Sequence, residues 1–388
     1  MSLRLIRKTL ILGALESGYG VPPTFDASTD AFEVNANPEL TFPHDRIERD
    51  TIRPTIGARK GIVAGLHAQL RFTLELKGSG YDDTNKRPLE PRIGRLLEAC
   101  LFKKTNNWDS ATTWTASTGY NVGDYVVPTT ENGFVYKCIT AGTSGSSEPT
   151  WPTTEGATVS DGDVEWQAER KAYIYTSSSG VLGDDIPSIA FEVYLAGSGS
   201  EADKYVLVGC GGTWTFTGSV GNIATMEFTF TGKLFTDPAT ATIPSATFDN
   251  TSQLVFQGVD FTFDNQNIFC VNEVRLDCGN TVALRRCITE ETGIAGVLIT
   301  NRNITGSIDP EAVLQNEYDF FAKLKSGDTA SMKIDIGSEF GNSVSFEAPR
   351  VQITESSFSD RDGIAVNNLN LLLTEGDAGE AELLIKFK

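Results

Sequence analysis

Apolar and polar residues alternate along much of the chain, and this alternation predicts strands. In residues 70–77 leucine or phenylalanine occupies every second position, with charged or polar side chains between them. Residues 224–231 follow the same rule with alanine, methionine and two phenylalanines. A period of two places alternate side chains on opposite faces of a strand. Both segments are therefore predicted to be strands with one buried face, in a chain rich in β structure.

Two segments with apolar residues at helical spacing interrupt the strands. A first helix is predicted in residues 91–104, which begin with a proline and end in lysines that suit the helix dipole. A second is predicted in residues 309–327, with Asp309 as cap, Pro310 in the first turn and Gly327 after the last. The predicted buried stripes are Ile93, Leu96, Leu97, Cys100 and Leu101, and Leu314, Tyr318, Phe321 and Leu324.

The order of these elements predicts two similar halves, each reading strand, charged loop, strand, helix and a group of strands. The first module is expected to comprise residues 1–107 and 169–240, with an N-terminal arm over residues 1–23, and the second module residues 241–388. The alternative is two unrelated β domains that share a generic alternation. The predicted fold class is mainly β with a few helices (α+β), as two tandem β-sandwich or barrel modules, each with a flanking helix, and a small inserted β module.

Residues 108–168 differ in composition from the rest and predict a separate small β module. They are rich in Thr, Ser and Gly and hold four of the five tryptophans. Trp151, in a proline-flanked loop, and Tyr120 are the candidate platform for stacking against a sugar. The alternative is that the rings form the module's own core, because small domains rely on large aromatic residues for burial. That alternative is favoured for Trp114, Tyr136 and Trp166. Strands are expected near residues 125–127, 135–139 and 164–167.

The net charge of −19 limits the partners of this 388-residue chain. It argues against a protein that grips nucleic acid, because phosphate binding needs clustered Lys and Arg. It is compatible with a protein past which DNA slides, because an acidic wall repels phosphate. The alternative is that the charge only aids solubility.

No residue pattern predicts an active site or a cofactor. The six cysteines form no CxxC pair and there are only two histidines, so a zinc site is not expected. We expect free thiols in a protein that folds in a cytoplasm. The sequence has no P-loop and no nucleophile elbow. His44 and His67 flank the charged loop of the first half, and we interpret His44 as a surface residue. Neither enzyme activity nor a bound cofactor is predicted.

The N-terminal residues superficially suggest a signal peptide. Their apolar core, LILGAL, is short and runs into Glu16 without a cleavage motif. No stretch is long and apolar enough to span a bilayer. We therefore expect neither secretion nor membrane insertion.

Three segments in the first quarter of the chain carry a resemblance to a known family. They are LILGALESGYGVPP, the span VNANPELTFPHDRIERDTIRPTIGARKGIVAGLHAQLRFTLELKGSG and the helix RIGRLLEACLF. In this order they resemble the tail tube proteins of long-tailed bacteriophages. The insert resembles carbohydrate-binding-like modules through YNVGDYV and NGFVYKC.

The resemblance implies a virion protein that self-assembles into stacked rings, forming the tail tube through which the genome is ejected. Rings of this family usually contain six modules, so two modules per chain imply three chains per ring with approximate sixfold symmetry. The competing arrangement has six chains per ring, with the second half of each outside as decoration. The implied partners are further copies of the chain, and the tape measure, tail terminator and distal tail proteins. DNA is implied to pass through without specific binding.

The resemblance also implies which residues contact the next ring. In the family these are the charged loop and the N-terminal arm, which correspond here to residues 45–60 and 2–22. The matching loop of the second half is residues 283–294. The predicted inter-ring contacts are Arg46, Glu48, Arg49, Asp50, Arg53, Arg59, Lys60, Arg285, Arg286, Glu290 and Glu291.

The implied location is the virion tail, after folding and assembly in the host cytoplasm. Two other functions are kept as alternatives. One is a glycan-binding adhesin or decoration protein of a phage or bacterial surface. The other is the tube protein of a phage-like injection system.

Overall fold

A computed structural model describes residues 3–35, 38–49, 51–54, 56–267, 270–376, 379 and 381–388. Within these residues the chain forms thirty strands and two short helices. The predicted fold class, mainly β with a few helices, is confirmed.

Nine strands and a helix precede the insert. They are β1 (Leu10–Leu15), β2 (Ala31–Phe32), β3 (Glu39–Thr41), β4 (Asp45–Ile47), β5 (Ile62–Ala64), β6 (Ala68–Glu75), β7 (Tyr81–Asp82), β8 (Arg87–Pro88), α1 (Ile93–Glu98) and β9 (Phe102–Asn106). The insert has seven strands. They are β10 (Thr112–Thr113), β11 (Gly119–Tyr120), β12 (Tyr125–Val127), β13 (Phe134–Thr140), β14 (Gly142–Thr143), β15 (Thr158–Asp161) and β16 (Val164–Arg170).

The chain after the insert contains the longest strands. Those that complete the first half are β17 (Tyr173–Ser177), β18 (Ile189–Ser198), β19 (Glu201–Ser219), β20 (Thr225–Leu234) and β21 (Ala239–Thr242). Those of the second half are β22 (Asp260–Phe263), β23 (Val271–Asp277), β24 (Thr281–Arg286), β25 (Ile294–Asn301), β26 (Thr305–Pro310), α2 (Phe320–Ser326), β27 (Thr329–Glu339), β28 (Asn342–Arg361), β29 (Ile364–Leu373) and β30 (Leu384–Phe387).

Two runs of six strands have the same antiparallel order. In the first run, neighbouring strands follow the order β3, β6, β20, β19, β18, β1. In the second run the order is β23, β26, β29, β28, β27, β22. The strands also follow one another along the chain in the same sequence in both runs, with the helix after the third. Each run has a short charged hairpin, β4–β5 or β24–β25, in the same place.

The two runs belong to one sheet system. The C-terminal part of β19 pairs with β23, from Thr215 opposite Asp277 to Ser219 opposite Glu273. A second link joins β17 to β30, whose other edge pairs with β28. Because both links are backbone ladders, the halves are joined as neighbouring strands of a single sheet.

One face of this sheet is apolar and packs into a continuous core. The alternating residues of β6 and β20 that the sequence predicted to be buried are buried. The phenylalanines of these strands stack, with Phe72 and Phe228 ring centroids 6.1 Å apart. The core continues through Phe216 and Phe346 into the second run.

The first predicted helix is shorter than expected. Its apolar stripe is buried as predicted, but α1 ends at Glu98 and the two lysines belong to β9. The chain turns at Leu101, which has a positive φ of 65°. The strand that follows pairs with β17, and this pairing ends the helix early.

The predicted start of the second helix is wrong. Asp309 and Pro310 end β26, and α2 begins after Asp319, whose carboxylate accepts a hydrogen bond from the backbone N–H of Ala322 at 2.8 Å. Asp309 instead accepts hydrogen bonds from the backbone of β23 and forms an ion pair with Arg361. Gly327 ends the helix as predicted, in the left-handed conformation. Two residues of the predicted buried stripe, Leu314 and Phe321, are exposed.

Candidate functional site

The two long hairpins occupy different environments although they hold equivalent places in the two runs. The tip of hairpin β19–β20 is covered by β23, and Phe216 in it is 0% exposed. The tip of hairpin β28–β29 is solvent-exposed over most of residues 354–365, and Phe358 is 77% exposed. Among the described residues, the second run therefore presents an exposed apolar residue on a strand edge that no other strand covers.

The first run has an open edge of its own. β3 pairs with β6 through Glu39, Leu40 and Thr41. No strand lies along its other edge among the residues that the structure describes. Leu40 is half-buried, whereas Leu276, at the same place in β23, is fully buried against β19. Unpaired strand edges of this kind are templates for pairing with another chain.

Across β3, β6, β20, the C-terminal part of β19, β23, β26, β29 and the tip of β28, the face of the shared sheet opposite the core is predominantly polar. Its side chains alternate with the buried ones, and Thr, Ser and Asn predominate. The carboxylates on this face are Glu39, Glu75, Glu227, Glu273, Asp277, Asp309 and Glu355. The cations are Arg71, Lys233, Arg275 and Arg361. Three of these cations are held in ion pairs, which are Arg71–Glu227, Lys233–Glu290 and Arg361–Asp309. The face is therefore weakly acidic and rich in hydroxyl groups.

The two charged loops predicted to contact another ring lie side by side. Arg286 of the second loop pairs with Asp45 of the first at 2.7 Å. The backbone N–H of Gly65 donates to the carbonyl oxygen of Thr292 at 3.1 Å. The first loop contains the short hairpin β4–β5, and the segment between its strands is exposed at most described positions.

The predicted contact residues are distributed unevenly over this surface. Arg59 and Glu290 are half-buried, and Glu290 forms an ion pair with Lys233 at 2.9 Å. Asp50 lies outside the described residues. The exposed members are Arg46, Glu48, Arg49, Arg53, Lys60, Arg285, Arg286 and Glu291. Three isoleucines at the loop tips, Ile52, Ile56 and Ile288, are fully exposed and were not singled out from the sequence. The sequence signal that could have identified them is that each is a single isoleucine among polar and charged residues.

The predicted N-terminal arm is largely built into the fold. β1 lies between β18 and β2, and Ile11 is fully buried. Glu16 is buried, and its carboxylate accepts hydrogen bonds from Gly20 N–H at 2.7 Å and Ser188 Oγ at 2.6 Å. Within the described part of this arm, the longest exposed run is residues 3–8.

Tyr19 fastens this segment to both runs. Its hydroxyl accepts a hydrogen bond from the backbone N–H of Val297 in β25 and lies within donating distance of two carbonyl oxygens, that of Val297 at 3.0 Å and that of Gly209 in β19 at 3.2 Å. Its ring fills the space where a Cβ on Gly183 or Gly296 would lie. Tyr19, which lies in one of the segments that carry the family resemblance, therefore joins the N-terminal segment to both runs. The sequence did not indicate this role.

The rings predicted as a glycan platform lie in and beside the core of the insert. Tyr120 is buried and contacts Trp166 edge to face at 4.9 Å. Trp151 is half-buried, 4.2 Å from the ring of Tyr136, and its indole N–H donates to Glu148 at 2.8 Å. Glycan binding by this module stays a prediction. The expected core residues Trp114, Tyr136 and Trp166 are buried.

The buried carboxylate of Asp161 organises the insert core. It accepts hydrogen bonds from Trp114 Nε1 at 2.7 Å, Trp166 Nε1 at 3.0 Å and Gly145 N–H at 2.8 Å. Two of its three donors, Trp114 and Gly145, lie 47 and 16 residues away in the sequence, so no local signal marked the full set.

Burial shifts the pKa of ionisable groups in the core. Burial raises the pKa of Glu98 to about 7, and one of its carboxylate oxygens has no hydrogen-bond partner. Burial also raises the pKa of the thiols of Cys100 and Cys210. All six cysteines are free. Within the described ranges no three His, Cys, Asp or Glu side chains are grouped to hold a metal ion, and neither described helix is long and apolar enough to cross a membrane.

The fold and its surfaces define the class of this molecule as a mainly β protein with open sheet edges among the residues that the structure describes. A family model described as phage tail tube protein matches residues 7–367, which include both runs and the insert. The chain belongs to the phage tail tube protein family. Membership implies a structural protein of the bacteriophage virion that self-assembles into a tube and associates with other tail proteins. No curated protein matches the chain.

Proposed function

We propose that three chains close a ring of six similar modules and that such rings stack into the tail tube, the conduit for genome ejection. The observation that carries this proposal is the identical strand order of the two runs. The two runs are joined edge to edge, as successive modules of a ring would be. Each chain then supplies two steps around the ring.

The polar face of the shared sheet forms the channel wall in this proposal. Its opposite face is committed to the core, so only the polar face is free to line a channel. A wall of hydroxyl groups with an excess of carboxylates offers DNA few cations to bind and repels its phosphates. DNA therefore slides past without a specific site.

The paired charged loops form the contact to the next ring. The ion pair between Arg286 and Asp45 and the hydrogen bond from Gly65 N–H to the carbonyl oxygen of Thr292 connect the two loops. Ile52, Ile56 and Ile288 add apolar area at the loop tips, and the surrounding charges favour one orientation of the neighbouring ring. Contacts with the tape measure, tail terminator and distal tail proteins at the ends of the tube belong to the same proposal.

The insert projects outward and is dispensable for the tube. It is attached through β9 and β17, which form an antiparallel pair, so the chain enters and leaves the insert at one place. Asn107 Nδ2 donates to the carbonyl oxygen of Arg170 at 2.8 Å across this neck. A module that occupied the channel would block DNA, and the neck allows it to lie outside.

Electron microscopy of the purified chain tests the proposed function. The protein, expressed alone and concentrated, is expected to form stacked rings with a central channel. A chain that stays monomeric over a wide range of concentration and salt, with near-native secondary structure by circular dichroism, would overturn the proposal.

A further inference from the structure

We propose that residues Ser357–Ser359 of one copy pair, antiparallel and as neighbouring strands, with Glu39–Thr41 of the next copy. The register places Phe358 opposite Leu40. This inference rests on the proposed function and specifies the contact between chains in the ring.

The junction inside the chain is the template for this contact. There, β19 of the first run pairs with β23 of the second run, with Phe216 opposite Leu276. The strands equivalent to these two at the free ends of the chain are β28 and β3. When the same pairing is repeated at the free end of the second run, β28 therefore pairs with β3 of another copy.

The register follows from two matching landmarks. Thr41 ends β3 four residues before Asp45, where the first charged hairpin begins. Asp277 ends β23 four residues before Thr281, where the second charged hairpin begins. Thr41 and Asp277 are therefore equivalent positions.

The strand pairings carry this equivalence across the sheet. From Thr41, the ladder through β6 reaches Thr231 in β20. From Asp277, the ladder through β26 reaches Leu372 in β29. Thr231 and Leu372 are therefore equivalent, and so are the residues five positions before them, which are Met226 and Asn367.

These residues identify the counterpart of Phe216. Met226 pairs with Phe216, and Asn367 pairs with Phe358. Phe358 therefore occupies in the second run the place that Phe216 occupies in the first. The flanking counterparts are Thr215 with Ser357 and Thr217 with Ser359.

The phenylalanine at the junction inside the chain is buried, whereas its counterpart at the free end of the second run is exposed. Phe216 is 0% exposed, and its ring lies 4.5 Å from that of Phe346. Phe358 is 77% exposed. Gly211 and Gln352 are equivalent, because they pair with the equivalent residues Thr231 and Leu372. Tyr205 lies six residues before Gly211, and Phe346 lies six residues before Gln352. Tyr205 is therefore the counterpart of Phe346.

Tyr205 is half-buried in the single chain and belongs to the same first-run surface as Leu40. It is in ring contact with Phe42 at 5.4 Å. The incoming Phe358 would cover Leu40 and Tyr205, as Phe216 covers Leu276 and Phe346. A second copy therefore supplies apolar partners for Phe358, Leu40 and Tyr205.

The contact is head-to-tail, because it joins the second run of one copy to the first run of the next. Head-to-tail contacts generate closed rings when the rotation permits. The contact between modules occurs once inside each chain and once between neighbouring chains. When both contacts have the same rotation, the ring contains twice as many modules as chains.

Engineered disulfides test the register in the whole chain. In a background with Cys270→Ser and Cys287→Ser, Thr41→Cys and Ser357→Cys are combined. Directly opposed residues in antiparallel strands lie within disulfide range. Mild oxidation is expected to give covalent dimers and trimers on non-reducing gels, at least tenfold more than in the matched variant with Leu40→Cys and Ser357→Cys. That variant places the thiols on opposite faces of the sheet.

A positive control lies inside the chain. Thr215→Cys with Asp277→Cys is expected to form a disulfide within one chain, which shows that the fold is intact and that the pairing geometry accepts the bond. Microscopy of the same samples separates the outcomes. Tubes whose chains are cross-linked through positions 41 and 357 support the inference. Tubes without that cross-link overturn the register and leave the proposed function standing. An absence of rings from the folded, control-linked protein overturns both.

Discussion

Two phenylalanines at equivalent places, Phe216 and Phe358, are expected to respond differently to truncation. Phe216 is fully buried at the junction inside the chain. Replacing a buried phenylalanine with alanine costs about 3–5 kcal/mol, so Phe216→Ala should lower the free energy of unfolding by that amount. Phe358 is 77% exposed, so Phe358→Ala should change it by less than about 1 kcal/mol.

The effect on assembly is expected to be large for Phe358. A phenylalanine side chain has about 200 Å² of surface, and burying the 77% that is exposed stabilises a contact by about 4 kcal/mol at about 25 cal/mol per Å². Phe358→Ala should therefore raise the protein concentration needed for ring formation by about two to three orders of magnitude.

Urea unfolding and sedimentation measure the two effects separately. Unfolding is followed by tryptophan fluorescence at concentrations where each variant sediments as a single chain, and assembly by sedimentation velocity over a concentration series. Val122→Ala, at an exposed apolar position on the insert, is the control and should change neither quantity. A Phe358→Ala chain that unfolds as easily as Phe216→Ala, or that assembles at the wild-type concentration, would contradict the proposed contact.

Glu98, Tyr19 and the insert provide three further tests. The folded-state pKa of Glu98, about 7, lies above its ordinary value of 4.5, so the free energy of unfolding should fall by about 3 kcal/mol between pH 4.5 and 7 and then level off. Glu98→Gln should remove this component in urea titrations across that range. Tyr19→Phe loses the hydrogen bonds to Gly209 and Val297 and should lower the free energy of unfolding by about 1–3 kcal/mol in the same assay. Deletion of residues 108–168 should leave tubes of normal diameter by electron microscopy, because β9 and β17 keep their pairing.

Each of these tests has a contrary outcome. An unchanged pH dependence in Glu98→Gln would show that another group titrates. Tyr19→Phe with wild-type stability would mean that water replaces the lost partners without cost. Loss of all assembly on deletion of the insert would place that module in the tube wall.

Alternation of apolar residues predicted the strands best, because it reports burial on one face directly. The faces of β6 and β20 and the strands of the insert follow from it. The second helix was misplaced because cap rules are local. Asp309 meets partners 36 to 52 residues away, in β23 and at Arg361, which no local pattern shows.

The contacts between distant segments could not be predicted from the sequence for the same reason. Tyr19 contacts backbone groups of β19 and β25, 190 and 278 residues away.

Rotational symmetry of the assembled tube tests the central claim most directly. Cryo-electron microscopy of tubes is expected to show three chains per ring, with six similar modules around the channel and the β28 edge of each chain lying on β3 of the next. Six whole chains per ring, with the second run of each outside the tube wall, would contradict the account.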